Sequence, residues 1–437
     1  MISVAGTYSV LILIWSLCSK SWRPIAICAL PRPSSRFFQR SSRIALQISC
    51  SSYCRKGPDM SISFIVTTYN IEPYISRCLQ SVAGVAIAGD EVIVIDDGSD
   101  DGTVEAVRTF IDQAGFGADI AVRPVYLGTN TMGGVGIGAN IGLAEATKDT
   151  VFFVDGDDWI EPEGFRRARA HWAMHPTDIL FTNYLEFDQK ADRIKHPADA
   201  QRWARLVNGL PLTESRILGL DMIAVPWRKF YSRDFLEREK LRFPEGDFFF
   251  EDNPFHWAVC LAANSIGFIN AVTCCHRINR PGQTMASTGI ELVAFFTHFK
   301  TIIGGFAVDD RDNLLVACRW LLNNMTWHIT RLEAGARYRY GQAASSALQQ
   351  VPDYIWSGVA KENSEKQIWP VAERLRNGDI DGQVLQWQNK SLEQAISGLN
   401  NRIRALESQS AKALSEIRGL RAAETFANIR RMRDAAQ

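Results

Sequence analysis

The chain has 437 residues, 46% of them hydrophobic and 22% charged, with a formal net charge of zero. That length leaves room for two or three domains and a sizeable core, and the composition is that of a globular protein. A zero balance gives no reason to expect a nucleic-acid partner.

The charge is unevenly spread. Residues 1–59 hold eight of the basic residues and a single acid, Asp59, leaving 40 basic against 47 acidic residues for 60–437, a net of −7. The same segment holds Cys18, Cys28, Cys50 and Cys54, four of the nine cysteines. Its apolar run, Val10 to Leu17, is about half of the ~20 residues that span a bilayer. No positive charge precedes that run, as a secretory signal requires. An Arg- and Ser-rich, acid-poor transit peptide is one reading. The reading preferred here is an upstream extension outside any domain, because Met60 directly precedes a well-formed strand and looks like the natural start. The other cysteines, Cys78, Cys260, Cys274, Cys275 and Cys318, show no metal-ligand spacing. They fit a reducing, cytoplasmic setting, with Cys274 and Cys275 as buried strand residues.

From Met60 the pattern alternates. Ile62–Thr67 reads as a strand, Tyr69 to Pro73 as a turn, and Tyr74 to Val82 as a helix. Glu91–Ile95 reads as a second buried strand, running into Asp96-Asp97-Gly98-Ser99, and Val104–Ala114 as a helix. The glycine-rich stretch 133–142 is expected to be a flexible loop leading into a helix over Ile141–Thr147. Val151–Val154 is a third buried strand, ending in Asp155-Gly156-Asp157-Asp158-Trp159. Strands alternating with helices imply a mostly parallel sheet flanked by helices, and ligands bind beyond the carboxyl ends of such strands.

Both acidic clusters stand at those ends. Three carboxylates crowded around Gly156 repel one another unless a cation sits among them, and oxygen ligands suit Mg²⁺ or Mn²⁺. The competing reading is a solvated turn that caps the next helix. Asp96 and Asp97 are placed to accept hydrogen bonds from a base or ribose. Asp100, Asp101 and Thr103 are expected only to satisfy the free N–H groups of a helix start. The glycines do not form the dinucleotide fingerprint, since no strand directly precedes them.

Taken in order, Thr67-Thr68-Tyr69-Asn70, Val94-Ile95-Asp96-Asp97-Gly98-Ser99, Ala139-Asn140-Ile141-Gly142-Leu143 and Phe153-Val154-Asp155-Gly156-Asp157-Asp158-Trp159 resemble the motifs of family 2 glycosyltransferases. The resemblance implies a GT-A-like, Rossmann-like fold, a nucleotide-sugar donor (a UDP-sugar first) and an inverting reaction. It places Thr68, Tyr69, Asn70 and Asn140 in the donor pocket, with Asp96 and Asp97 at the base. Asp155 and Asp157 look like the family's Asp-x-Asp metal motif, Asp157 as the more direct ligand and Asp155 nearer the ribose. Asp158 is left to turn and cap. One departure is Ala139, where the family often carries Arg.

Over 161–290, residues 163–177 read as a helix, Ile179–Leu185 as a strand, and Asp188 to Asp199 as an exposed loop. Phe248 to Phe255 opens an apolar helix through Ala263. Glu251 and Asp252 at that start suit the helix dipole. They also resemble the family's second signature, whose Asp is the general base toward the acceptor, with Glu251 beside it as a catalytic candidate. A hydroxyl is a weak nucleophile and needs such a base. Residues 276–284 look like the family's loop near the donor phosphates. Arg277 and Arg280 would reach the diphosphate, as guanidinium geometry allows. His276 stands where Tyr is common and is not assigned to a metal.

From Glu291 to about Ile368 the chain is helical, with Trp320, Trp327, Trp356 and Trp369 as core. Over 385–420, Leu385, Leu392, Leu399, Leu406, Ala413 and Leu420 recur every seven residues, interleaved with Asn389, Ile396, Ile403, Ser410 and Ile417. Ile at a, Leu at d and a polar Asn at one a position favour a parallel two-stranded coiled coil. The expected organisation is therefore an extension (1–59), a GT-A-like domain (60–290, its nucleotide half 60–160 and acceptor half 161–290), a helical region (291–380) and a coiled coil (385–437) that makes a homodimer. The expected activity is metal-dependent inverting sugar transfer to a glycan or glycolipid acceptor in surface or secreted polysaccharide synthesis. It would take place in the cytoplasm or peripherally at the inner membrane face. Two rivals stay open: a nucleotidyltransferase on a similar sheet, and an inactive transferase-fold scaffold dimerised by its coiled coil.

Overall fold

The computed structural model describes residues 60–436 except 208, 247, 248, 284–287 and 308. The 1–59 extension, Thr284 and Phe248 lie outside the described residues.

One sheet organises the described chain. Its strands are β1 (Ile62–Thr68), β2 (Glu91–Asp96), β3 (Ala121–Tyr126), β4 (Thr150–Asp155), β5 (Trp159–Ile160), β6 (Ile179–Asp188), β7 (Arg193–Lys195), β8 (Lys229–Ser232) and β9 (Ile266–Ile278). The order is β3-β2-β1-β4-β8-β6-β9-β5, with β7 paired to β6. β3, β2, β1 and β4 are parallel, and β8 joins β4 antiparallel. β3 is an edge strand between the second helix and the glycine stretch that the apolar pattern does not signal. Its residues are only partly buried, so it lacks the continuous apolar run of β1, β2 and β4. The tract read as an exposed loop before Asp199 contains the short hairpin strand β7, paired with the end of β6.

The helices are α1 (Glu72–Ala83), α2 (Thr103–Asp112), α3 (Gly136–Glu145), α4 (Pro162–Met174), α5 (Leu212–Asp221), α6 (Arg233–Arg238) and α7 (Asp252–Ala262). α8 (Ala294–Gly304), α9 (Arg311–Ile329), α10 (Arg337–Leu348), α11 (Asp353–Asn363), α12 (Trp369–Arg376) and α13 (Ile380–Ala435) follow.

β4 is buried on both faces, and each face holds one functional element in place. Successive side chains of a strand point to opposite faces. Phe152 packs edge-on against Phe165 of α4 and Phe230 of β8, with ring centroids 5.0 and 4.9 Å away. Phe153 packs edge-on against Phe243 at 5.4 Å and Phe255 at 6.1 Å, and those two rings stack at 3.9 Å. Phe255 lies one turn into α7, so this cluster docks the start of α7 against the strand that ends in Asp155. Each such ring contributes about 1.5–3 kcal/mol by burial. The helical region continues this core rather than forming a separate one: Trp257 of α7 lies 6.2 Å from Trp320 of α9. Trp356 and Trp369 are buried and stacked on each other at 4.7 Å, while Trp320 and Trp327 are partly buried against the core. Cys274 and Cys275 are buried thiols in β9.

Candidate active site

β1, β2 and β4 end side by side, with Thr67 opposite Asp155 and Thr68 opposite Asp96. At the β2 end the two acids take different work. Asp96 is fully buried, and its carboxylate accepts from the Thr68 hydroxyl (2.9 Å) and from the Ser99 N–H and hydroxyl (2.9 and 2.6 Å). Its oxygens thereby hold the turn that follows β2. Asn70 does similar work. It sits at φ 48°, accepts the Asp100 N–H (3.0 Å) and gives its own N–H to Ser99 (2.9 Å). Asp101 accepts the Thr103 N–H (2.9 Å), as expected for a helix start. Asp97 instead faces the segment after β3, accepting from Asn130 Nδ2 (3.0 Å) and from the Thr131 N–H and hydroxyl (3.0 and 2.9 Å). Burial raises its carboxyl above the usual range despite the Thr131 hydrogen bonds. Tyr69 is exposed beside it.

At the β4 end, Asp155, Asp157 and Asp158 each present a carboxylate oxygen, all within 4.8 Å of one another. Burial, then the charges of Asp158 and Asp157, holds Asp155 well above the usual carboxylate range. An anion so disfavoured calls for a cation, and the all-oxygen set fits a hard divalent ion. The cations now beside it come from the end of β9. Asp158 accepts His276 Nδ1 (2.8 Å) and the Arg277 N–H (2.7 Å). Asp158 does close the turn, its N–H donating to the Asp155 carbonyl (3.0 Å), but its reading as a cap is corrected: its carboxylate ties β9 to the end of β4, and the N-cap of α4 is Glu161. Burial alone would lower the His276 imidazole, but the Asp158 ion pair, with Asp157 and Asp155 behind it, pushes it up to about 9. Arg277 donates Nε to the Asp157 carbonyl (2.9 Å) and lies 4.6 Å above the Tyr74 ring. Arg280 pairs through Nε with the Asp157 carboxylate. Sequence reasoning left out Tyr74, which lies under both Arg277 and Arg280. An aromatic facing a basic loop was the only signal, and the two are far apart in the chain.

The glycine stretch is a loop only as far as Val135. α3 starts at Gly136, five residues before the expected Ile141, because its N-terminus is capped from across the domain. Glu251 is buried, and its Oε1 accepts the Gly136 N–H at 2.7 Å. A Cβ on Gly134 would stand 2.5 Å from that carboxylate, so the missing side chain is what admits it. Carboxylates stabilise helix N-termini. Asn140, one turn on, exchanges two hydrogen bonds with the Phe243 backbone (both 2.9 Å) and a third with Glu245 (2.8 Å). Asn140 and Glu251, expected in the donor pocket and in catalysis, thus bolt α3 to the segment that leads into α7. Glu251→Gln, which keeps an acceptor oxygen, is expected to stay near wild-type stability and activity. Glu251→Ala should cost about 1–2 kcal/mol. Thermal melts and turnover of the two variants check this.

Asp252 opens α7 through a turn made by Phe250 in the left-handed region, at φ 65°. A bulky residue there is strained. Burial first, then the Glu251 charge, raises the Asp252 carboxyl to about 7, and the cationic charge of buried Lys229 on β8 pulls it back. Its charge also raises Asp155, so the two carboxylate groups share one electrostatic neighbourhood. The arrangement offers a hard-cation set, a basic loop and a carboxylate that takes up a proton near neutrality.

Comparison with known proteins bears on the fold that carries this site. Residues 63–239 match the family model described as Glycosyl transferase family 2. A glycosyltransferase of Bacillus subtilis (strain 168), EpsJ, is 26% identical over 211 residues, 48% of this chain and 58% of the relative. The poly(ribitol-phosphate) beta-N-acetylglucosaminyltransferase TarS of Staphylococcus aureus (strain MW2) is 27% identical over 245 residues, 56% of this chain and 40% of the relative. The chain thus spans about half the length of these curated relatives. The crystal structure of S. aureus TarS 1–349 in complex with UDP-GlcNAc superposes with a TM-score of 0.59 at 22% identity. It covers 76% of this chain and 92% of that one, and shows the same mixed, mostly parallel sheet flanked by helices. Residues 63–239 are thus the part of the chain that matches glycosyl transferase family 2, and the sheet that carries the site lies mostly within them.

Proposed function

We propose that this protein transfers a sugar from a nucleotide-sugar donor to a hydroxyl of a glycan or glycolipid, with inversion at the anomeric carbon. The observation that carries the reading is the pairing of the β4 carboxylate cluster with Asp252, docked over the same strand by Phe255 and raised to about 7. In this reading Asp252 takes the acceptor's hydroxyl proton. The acceptor oxygen bonds to the anomeric carbon as the bond to the diphosphate oxygen breaks on the opposite face. Asp157 with Asp155 would hold a divalent cation, Mg²⁺ or Mn²⁺, which when bound neutralises charge on the departing nucleoside diphosphate. Arg280 at the Asp157 carboxylate and Arg277 at the Asp157 carbonyl would turn to the diphosphate, leaving Tyr74 to hold their planes. Asp97 and Tyr69 shape the base end, with Asp96 and Asn70 holding the turn they stand on.

A UDP-sugar is the proposed donor, since the TarS structure was solved with UDP-GlcNAc. Surface or secreted polysaccharide synthesis in the cytoplasm or at the inner membrane face belongs to the same proposal. So does a homodimer formed through 385–420. No helix among the described residues is long and apolar enough to cross a membrane.

A donor screen tests the reading: nucleotide sugars are offered to the full chain with Mn²⁺, and released nucleoside diphosphate is measured. Release of UDP from one UDP-sugar, stimulated by a hydroxyl acceptor, is expected. Pyrophosphate release from a nucleoside triphosphate and a sugar phosphate would show a nucleotidyltransferase instead.

A further inference from the structure

α13 begins as part of the helical region. Trp387 is buried with its ring 6.1 Å from Tyr340, and Arg337 donates to the Ser391 hydroxyl at 2.7 Å. Beyond Ser391 the helix leaves that surface, and residues 392–436 are all exposed. At 1.5 Å per residue this is a rod of about 65 Å. One stripe of it is apolar: Leu392, Ile396, Leu399, Ile403, Leu406 and Leu420 stand 52–71% exposed. Helices owe most of their stability to packing an apolar face. A stripe this long in water is that of a helix whose partner is another chain.

We infer that the partner is α13 of a second copy, lying parallel and in register, so that both catalytic units emerge from the same end of the rod. The charges beside the stripe carry the direction. With Ile396 and Ile403 at a and Leu399 and Leu406 at d, Arg402 and Glu416 fall at g, and Glu407 and Arg421 fall at e. In a parallel in-register pair each g residue faces the e residue five positions on in the partner. Arg402 then faces the partner's Glu407, and Glu416 faces the partner's Arg421. Among these facing positions, every pair in which both residues are charged is opposite in sign. Asn389 at a meets its own copy, where two amides can bond to each other. The antiparallel alternative with full overlap does worse. It keeps opposite pairs at Arg402 with the partner's Glu416 and at Glu393 with the partner's Arg421, but it adds a like pair, Glu407 against the partner's Glu407, and leaves Asn389 opposite an alanine, Ala427, with no amide to pair.

The inference does not depend on sugar transfer, and its test reads mass rather than activity. One full-length variant carries Arg402→Glu with Glu416→Arg, and a second carries Glu407→Arg with Arg421→Glu. Light scattering should give a dimer for the wild type and a dimer constant weakened about tenfold or more for each variant alone. An equimolar mixture should recover the wild-type value, because every g–e pair is then opposite again. A first variant that dimerises like the wild type would show antiparallel pairing, whose g–g contacts it preserves. A wild-type monomer or trimer, or a mixture no tighter than its parts, would also overturn the inference. Unchanged melting of the globular part in both variants shows that the change lies in the rod.

Discussion

Asp252→Asn is expected to abolish most turnover while leaving the protein folded and able to bind donor. General-base catalysis supplies typically 10²–10⁴-fold. The amide should therefore lower kcat by about that factor with little change in donor KM, because Asp252 is assigned to the acceptor side. The stability effect should run the other way. Burial raises the folded carboxyl to about 7, above its unfolded value. The folded state then binds the proton more tightly, and ionising the group weakens folding as pH rises from the ordinary carboxylate range to about 7. At pH 8 the whole penalty is present, so the Asn variant should melt above the wild type. The gain should shrink as the pH is lowered. The same group predicts the rate profile. The base works only when ionised, so wild-type kcat should rise about tenfold per pH unit below 7 and level off above it. A variant that loses activity and stability together at pH 8 would mark Asp252 as structural.

Chelation or loss of Asp157 should be comparably severe. Asp157→Ala is expected to reduce turnover by at least about 10²-fold, the scale of losing one preorganised charge contact at a leaving group. Removal of divalent ions should silence the wild type, and Mn²⁺ or Mg²⁺ should restore it. Binding can be read without turnover, by the electron spin resonance signal of free Mn²⁺. The wild type should deplete that signal and Asp157→Ala should not. Arg280 competes for the same carboxylate. Arg280→Ala should therefore bind Mn²⁺ at least as tightly as the wild type while losing affinity for the nucleotide. Unchanged Mn²⁺ binding in Asp157→Ala would move the ion elsewhere.

The strands that position this site were legible because their signal is local. β1, β2 and β4 are buried on both faces, so each is a short continuous apolar run, and each runs straight into the polar residues that its end presents. The heptads of α13 were legible for the same reason, since a helix repeats its face every few residues. β3 was not, because an edge strand has little apolar pattern to show.

The roles of individual carboxylates were another matter. Asp96 and Asp97 are neighbours of one type, yet only the fold decides that the first closes on Thr68 and Ser99 while the second faces Thr131. Glu251 and Asp252 divide in the same way, one capping α3 and the other standing over β4. Asp158, which the sequence leaves to turn and cap, also ties to His276 and Arg277, more than a hundred residues on. By itself the sequence determined which chemical groups would gather at the strand ends, since strand alternation and motif spacing are properties of neighbouring residues. Only the tertiary structure decided which groups each carboxylate bonds to. That depends on partners brought close by packing, and no spacing along the chain encodes them.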